Sequence, residues 1–370
     1  MPYEALLFAD SHLKRRVDEQ FAMRQIADLA KRKKVKHVIG AGDILDKQSN
    51  RADTISYLFE FIYQLEEAGI TFWYLKGNHD WDEVGWPEGH RGAKHLHKQT
   101  LEFESLTAYG LDYQPHGKLQ EELAEIPRGC NLLVAHQTWG DWMGDIASPQ
   151  GDFAQIPGHV THVFSGDLHQ VKMDKCKNAD GRIMLCISPG ATTMQKIDEP
   201  AEHFCMLLDT KGIFSKSGLK SRVLIDWDVM NHTEDVERFV AEIEAELATA
   251  QQTAAANDYP ETMLLPYLRV TYSHKLVDVV RRVEKVVAGR ALLNWKELPP
   301  EAKQPQKNKV LKQALGAAAA AVTPLTVLPT KVDKEEKPEV FDLASRMLSS
   351  NNFEDEFGRW WTEATMVETK

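Results

Sequence analysis

Cysteine is scarce in this 370-residue chain, and the four present (Cys130, Cys176, Cys186, Cys205) are far apart with no Cys-x-x-Cys pair. That excludes a disulfide framework and points to free thiols in a reducing compartment. No apolar stretch approaches the length that spans a membrane, and the N-terminus carries no basic segment followed by an apolar one. A cytoplasmic protein with no membrane association is the expectation. A Gly-x-x-x-x-Gly-Lys-[Ser/Thr] loop is also missing, so any ATP hydrolysis linked to this chain has to come from another protein. Positive charge is in deficit: 44 Lys and Arg stand against 55 Asp and Glu, a net charge of -11. This argues against broad, nonspecific attraction to a polyanion and leaves nucleic-acid contact to local basic patches or metal ions.

What the chain does have is five short apolar runs, each ending in residues that ligate metals. Residues 5–9 run into Asp10-Ser11-His12, and 37–39 into Gly42-Asp43-Ile44-Leu45-Asp46. Residues 70–75 run into Gly77-Asn78-His79-Asp80, 132–135 into His136, and 162–164 into Gly166-Asp167-Leu168-His169. β-Branched and aromatic runs of this length, bounded by glycine and polar residues, read as buried strands. Ligand sites in α/β sheets sit at the carboxyl ends of strands. Side chains from five distant segments are thus expected to meet at one sheet edge, a layout suited to a pair of metal ions.

Helical stripes separate the early strands. Ala22, Ile26, Leu29 and Ala30 mark a helix over residues 18–34, and Ile55, Leu58, Phe59, Ile62 and Leu65 mark one over 52–69 with Gly69 as its C-cap. This alternation predicts a parallel or mixed sheet covered by helices. Short strands follow at 161–164, 183–187, 204–208 and 222–225, expected to form a second, more antiparallel sheet on the first. A helix over 232–248, a strand over 267–272, a helix over 276–287 and a strand over 291–295 then suggest a small α+β unit. The expected layout is a catalytic domain over 1–229, the small domain over 230–298, a Lys-, Gln-, Pro- and Ala-rich linker over 299–338, and an apolar C-terminal segment over 339–370.

Phosphodiester hydrolysis is slow because a poor nucleophile must attack an anion and expel an alkoxide. Two divalent cations about 3.5–4 Å apart acidify a water, neutralise phosphate oxygens and hold the ester for in-line attack. The set Asp10-x-His12, Gly42-Asp43-x-x-Asp46, Gly77-Asn78-His79-Asp80, His136 and Gly166-Asp167-x-His169 resembles, in order and spacing over residues 1 to about 210, the motif series of calcineurin-like metallophosphoesterases. The resemblance implies an α/β fold: a two-sheet sandwich flanked by helices. It implies that Asp10, His12 and His169 hold the first metal, that Asp43 bridges, and that Asn78, His136 and Asp167 hold the second. His79 would face the substrate as general acid or phosphate binder, Asp80 would orient it, and Asp46 would support the site. Family members usually carry Gly-His-x-His in the last block. Asp167 replaces the first of those imidazoles, which favours harder ions, Mn²⁺ first and Mg²⁺ second, over Zn²⁺.

Three features lean towards the SbcD-type nucleases, which work with an SMC-like, SbcC-type ATPase on DNA ends. They are the unit containing Pro266-Tyr267-Leu268-Arg269-Val270-Thr271-Tyr272, similar to a DNA-capping domain, the Ser188-Pro189-Gly190-Ala191-Thr192 loop after the last metal motif, and the apolar C-terminal segment, which would dock on the ATPase coiled coil. Lys14, Arg15 and Arg16 follow the first motif, where DNA phosphates would be met, and residues 303–312 form a further basic run. A homodimer fits the same resemblance. The competing expectations are a stand-alone phosphatase or cyclic-nucleotide phosphodiesterase, and a non-catalytic DNA-binding scaffold whose metal site has decayed at Asp167.

Overall fold

The computed structural model describes residues 2–298 except 15, 47–51, 81–89, 116, 144–148, 197–198, 229–235, 257–258 and 274–276. The expected linker and C-terminal segment, the basic run 303–312 and Arg15 therefore lie outside the described residues. From the N-terminus, β1 (Tyr3–Phe8), α1 (Val17–Lys33), β2 (His37–Ala41), α2 (Ala52–Glu67), β3 (Thr71–Leu75) and β4 (Ala93–His95) alternate. The strands β1, β2, β3 and β4 pair in parallel, in that order. A second sheet follows from β5 (Thr100–Glu102), β6 (Thr107–Leu111), α3 (Leu119–Ala124), β7 (Leu132–His136), α4 (Gly140–Met143), β8 (His162–Gly166), β9 (Lys172–Lys177) and β10 (Ile183–Ser188). Its strand order is β5-β6-β7-β8-β10-β9, with β6, β7, β8 and β10 parallel.

Alternation along β1 shows how the layers form. Leu6 and Phe8 join Met23 and Ile26 of α1 and Phe61 and Ile62 of α2 in one core. Ala5 and Leu7, pointing the other way, join Val134 and Phe164 of the second sheet in another. A third core, with Leu133 and Val163 against Leu119, Trp139 and Phe153, covers the second sheet's outer face. Two facing sheets flanked by helices result, as expected. The helix α1 is set by its own chemistry: Glu19 accepts the Arg16 backbone N–H at 3.1 Å, and Lys31, Arg32 and Lys33 lie at the negative end of the helix dipole.

The structure departs from the expected strand partners twice. The strand expected over 204–208 is β11 (His203–Asp209), and it pairs antiparallel with β1 in the first sheet, followed by β12 (Phe214–Leu219). Its apolar run announces a buried strand but not which of two apolar faces will hold it. The strand expected over 222–225 is β13 (Leu224–Asp228), and it leaves both sheets. It opens a three-stranded parallel sheet in which α5 (Val236–Ala256), β14 (Tyr267–Ser273), α6 (Val277–Val287) and β15 (Leu292–Leu298) follow. Ile225, Trp227, Ile243, Leu247, Leu268 and Val270 form its core. Among the described residues no helix is long and apolar enough to cross a membrane.

One buried cation ties this sheet to α1. Arg222 Nε and Nη2 donate to Asp18 Oδ1 and Oδ2, both at 2.9 Å, Nη1 donates to Leu265 O at 2.6 Å, and the guanidinium lies 5.2 Å from the Tyr267 ring centroid. Replacing Arg222 with Ala leaves the Asp18 carboxylate and the Leu265 carbonyl without this cation. Denaturant unfolding is expected to register a loss of about 3 kcal/mol, with cooperativity reduced if the small sheet now opens first.

Candidate metal centre

The parallel strands end together, and so do the loops they feed. Asp10 and His12 follow β1, Asp43 follows β2, Asn78 and His79 follow β3, His136 is the last residue of β7, and Asp167 and His169 follow β8. Their side chains meet. His12 Nε2 lies 3.1 Å from His169 Nε2 and 3.6 Å from Asp43 Oδ2. His136 Nε2 lies 3.5 Å from the same Asp43 oxygen, 3.3 Å from Asn78 Oδ1, 3.8 Å from Asp167 Oδ1 and 4.0 Å from Asp10 Oδ1. Asp10, His12 and His169 can converge on one ion, as can Asp10, Asp43 and His136, and His12, Asp43 and His79. Asp43 thus stands between two donor sets.

The backbone is contorted to achieve this. Asp10 (φ 52), His12 (φ 40), Asp43 (φ 48) and Asp167 (φ 81) all adopt the left-handed region, which costs a non-glycine residue on the order of 1 kcal/mol each. Cross-loop bonds hold them. Asp10 N donates to Gly42 O at 3.1 Å, His12 N to Asp43 O at 2.8 Å, and Asp167 N to both Asp10 carboxylate oxygens at 3.0 and 3.1 Å. His79 N donates to Asp43 Oδ1 at 2.8 Å. The motif glycines are needed for contact: a Cβ on Gly42 would collide with the His136 ring, and one on Gly77 with the Asp43 carboxylate.

Two of the imidazoles are also held from behind, which leaves Nε2 facing the site. His136 Nδ1 pairs with Ala41 O at 2.8 Å and His169 Nδ1 with Glu199 Oε1 at 2.6 Å, whereas His12 Nδ1 is buried without a hydrogen bond, with Asp46 Oδ2 3.7 Å away. Burial pulls the His12 imidazole down to about 3, so it presents a lone pair at neutral pH. Burial also opposes charge on His136, yet the carboxylates of Asp43, Asp10 and Asp167 raise it well above its ordinary value. Burial pushes the Asp43 carboxyl up, but His136 and His12 draw it below the usual carboxylate range.

The donor set fits divalent cations. Two imidazole nitrogens sharing one ion at about 2.1 Å would sit about 3 Å apart at a right angle, and His12 and His169 are 3.1 Å apart. The Asn78 side-chain amide lies 3.3 Å from His136 Nε2 and 3.0 and 3.2 Å from the Asp43 carboxylate oxygens, so its oxygen is within reach of the same cluster.

Further described residues surround this cluster. The Asp80 carboxylate accepts the backbone N–H groups of Ile44 (3.2 Å), Leu45 (2.9 Å) and Gly77 (2.8 Å), fixing the loop that carries His79 against the loop that carries Asp43. Asp46 Oδ2 lies 2.8 Å from Lys14 Nζ and 3.9 Å from His79 Nδ1. The His79 side chain is 31% exposed, with its ring edge-on to His12 at 4.7 Å. Arg16 caps α1 from the same loop. Trp139 and Trp142 are apolar wall: both pack on Phe153, and their indole N–H groups donate to Ser165 Oγ and Asp174 Oδ2. Ala191 N and Thr192 N reach His169 O (3.2 Å) and Asp10 O (3.4 Å), so the loop after β10 closes under the first donor set. Sequence reasoning missed Glu199 and Thr138, whose hydroxyl donates to Asp167 Oδ2. The rule that a ligand histidine wants a second carboxylate calls for some acid, and nothing local says which.

Comparison with known proteins bears on the family. The family model described as the calcineurin-like phosphoesterase superfamily domain matches residues 4–212. The chain is 26% identical over 120 residues to an uncharacterized metallophosphoesterase, YhaO, of Bacillus subtilis (strain 168), a match spanning 30% of this chain and 29% of that protein. Among solved structures it resembles a dimetal phosphatase from Danio rerio (12% identity, 59% of this chain and 96% of that one, TM-score 0.37). It also resembles the Pseudomonas putida nuclease MPE (14% identity, 58% and 87%, TM-score 0.30). With the family match covering more than half of the sequence, the chain belongs to the calcineurin-like phosphoesterase superfamily, a family of metal-dependent phosphoester hydrolases.

Proposed function

We propose that this chain is a two-metal phosphodiesterase that hydrolyses DNA ends as the nuclease subunit of an SbcCD-like complex. The observation that carries the two-metal part is the single carboxylate oxygen of Asp43 set 3.6 Å from His12 Nε2 and 3.5 Å from His136 Nε2. Asp10, His12 and His169 would hold one cation, Asn78, His136 and Asp167 the other, and Asp43 both. When bound, the pair would acidify a water and neutralise phosphate oxygens. His79, partly exposed at the rim, would donate a proton to the departing oxygen, with Asp46 on its Nδ1 side as support. Lys14, held by Asp46 and by Gln195 Oε1 at 3.5 Å, would meet a phosphate oxygen, and Arg15 and Arg16 would extend that contact. Three of the four side chains around the second position offer oxygen, which suits Mn²⁺ or Mg²⁺.

The preference for DNA rests on the unit that follows the family domain, on the Ser188–Thr192 loop and on the C-terminal segment, whose docking on an SMC-like ATPase would supply the ATP hydrolysis that this sequence has no loop for. The acidic net charge of -11 fits a subunit whose partner provides much of the DNA affinity. A homodimer in the cytoplasm completes the proposal.

Metal analysis after loading with Mn²⁺ is expected to give two ions per chain. Linear duplex DNA is expected to be cleaved, and His79→Ala to slow turnover by about 10²–10⁴-fold while both ions stay bound. A wild-type chain with the metals but no hydrolysis of any phosphoester would leave a scaffold. Hydrolysis of small phosphoesters or cyclic nucleotides without DNA cleavage would leave a stand-alone phosphatase. Pull-down of the intact chain is expected to bring an SMC-like ATPase, and truncation before Val340 to lose it. Equal recovery with both forms would refute docking through the C-terminal segment.

A further inference from the structure

Position 167 departs from the pattern of the family, and its surroundings show how the substitution is accommodated. Its backbone is fixed: Asp167 is left-handed (φ 81) and its N–H is shared between the two Asp10 oxygens. The side chain could still swing or chelate with both oxygens, since a carboxylate offers about four lone-pair sites. One oxygen is already committed. Thr138 Oγ1 donates to Asp167 Oδ2, while Oδ1 faces the site 3.8 Å from His136 Nε2. Thr138 stands two residues beyond His136, so one strand end supplies both a ligand and the group that holds its neighbour. Thr138 is itself pinned by Gln150, whose side-chain Oε1 accepts Thr138 N–H at 2.7 Å and whose backbone N–H donates to Thr138 O at 3.0 Å.

We propose that Thr138 is the positioning residue that makes Asp167 a one-oxygen ligand of the second cation, a role that rests on the two-cation reading above. By donating to Oδ2 the hydroxyl takes up one of that oxygen's lone pairs, disfavours chelation and holds Oδ1 towards His136, Asn78 and Asp43. This hydrogen bond also offsets part of the repulsion of a third carboxylate beside Asp10 and Asp43. Three single oxygens and one imidazole then face the second position, a shell suited to a small, hard ion.

Calorimetric titration of the metal-free, full-length protein with MnCl₂ tests this without reference to turnover. The wild type is expected to bind two equivalents. Thr138→Val keeps the shape and removes the donor, and is expected to weaken one equivalent by about 10–100-fold and leave the other unchanged. Thr138→Ser is expected to restore both, and the metal-free variants to melt with the wild type. Unchanged binding of both equivalents by Thr138→Val overturns the inference while the two-cation reading stands. So does loss of both equivalents that serine does not rescue, because a purely structural residue would behave that way. A wild type that binds fewer than two equivalents overturns the two-cation reading, and this inference with it.

Discussion

Carboxylate crowds carboxylate at the rim of the two sheets, and the rest of the structure depends on how that crowding is relieved. Asp10, Asp43 and Asp167 all lie within 4.0 Å of His136 Nε2, with Asp10 and Asp43 buried from solvent. Buried like charges are among the most costly arrangements a protein can hold. Backbone N–H groups from residues 79 and 167 take up part of the charge, and His136 is drawn towards its cationic form. The remaining lone pairs call for positive charge that no lysine or arginine among the described residues is seen to supply. Lys14 is engaged by Asp46 at 2.8 Å.

The fold offsets the cost by tying the loops to one another. Four site residues in left-handed backbone would be a poor choice for isolated loops. Here each loop is stitched to its neighbour, Asp10 to Gly42, His12 to Asp43, and Asp80 across from the Gly77 turn to Ile44 and Leu45. Strain and acid–acid proximity are therefore borne by two sheets whose cores are packed on both faces.

A common plan runs through three of the site residues: one chain segment provides a site-facing atom, and another fixes its orientation. His136 is held by Ala41, His169 by Glu199 and Asp167 by Thr138. The substitution at 167 keeps to that plan. An imidazole in that place would need its second nitrogen satisfied. The carboxylate needs its second oxygen satisfied, and the hydroxyl two residues past His136 does so.

The first donor residues, the parallel strands that carry them and the covering helices were legible in the sequence. Each depends on local pattern: an apolar run of strand length, a stripe at helical spacing, a glycine before an acid. The five motifs, with the family resemblance they carry, pointed to Asp10, His12, Asp43, Asn78, His79, His136, Asp167 and His169, because metal chemistry restricts which side chains can serve. Tertiary structure decided what local pattern cannot hold. It chose the first sheet for β11 and a separate one for β13, since an apolar strand fits any apolar face. It brought Glu199 to His169 across 30 residues and Thr138 to Asp167 across 29. A hydrogen bond between distant segments leaves no spacing in the sequence, because its length is set by the packing of the sheets beneath it.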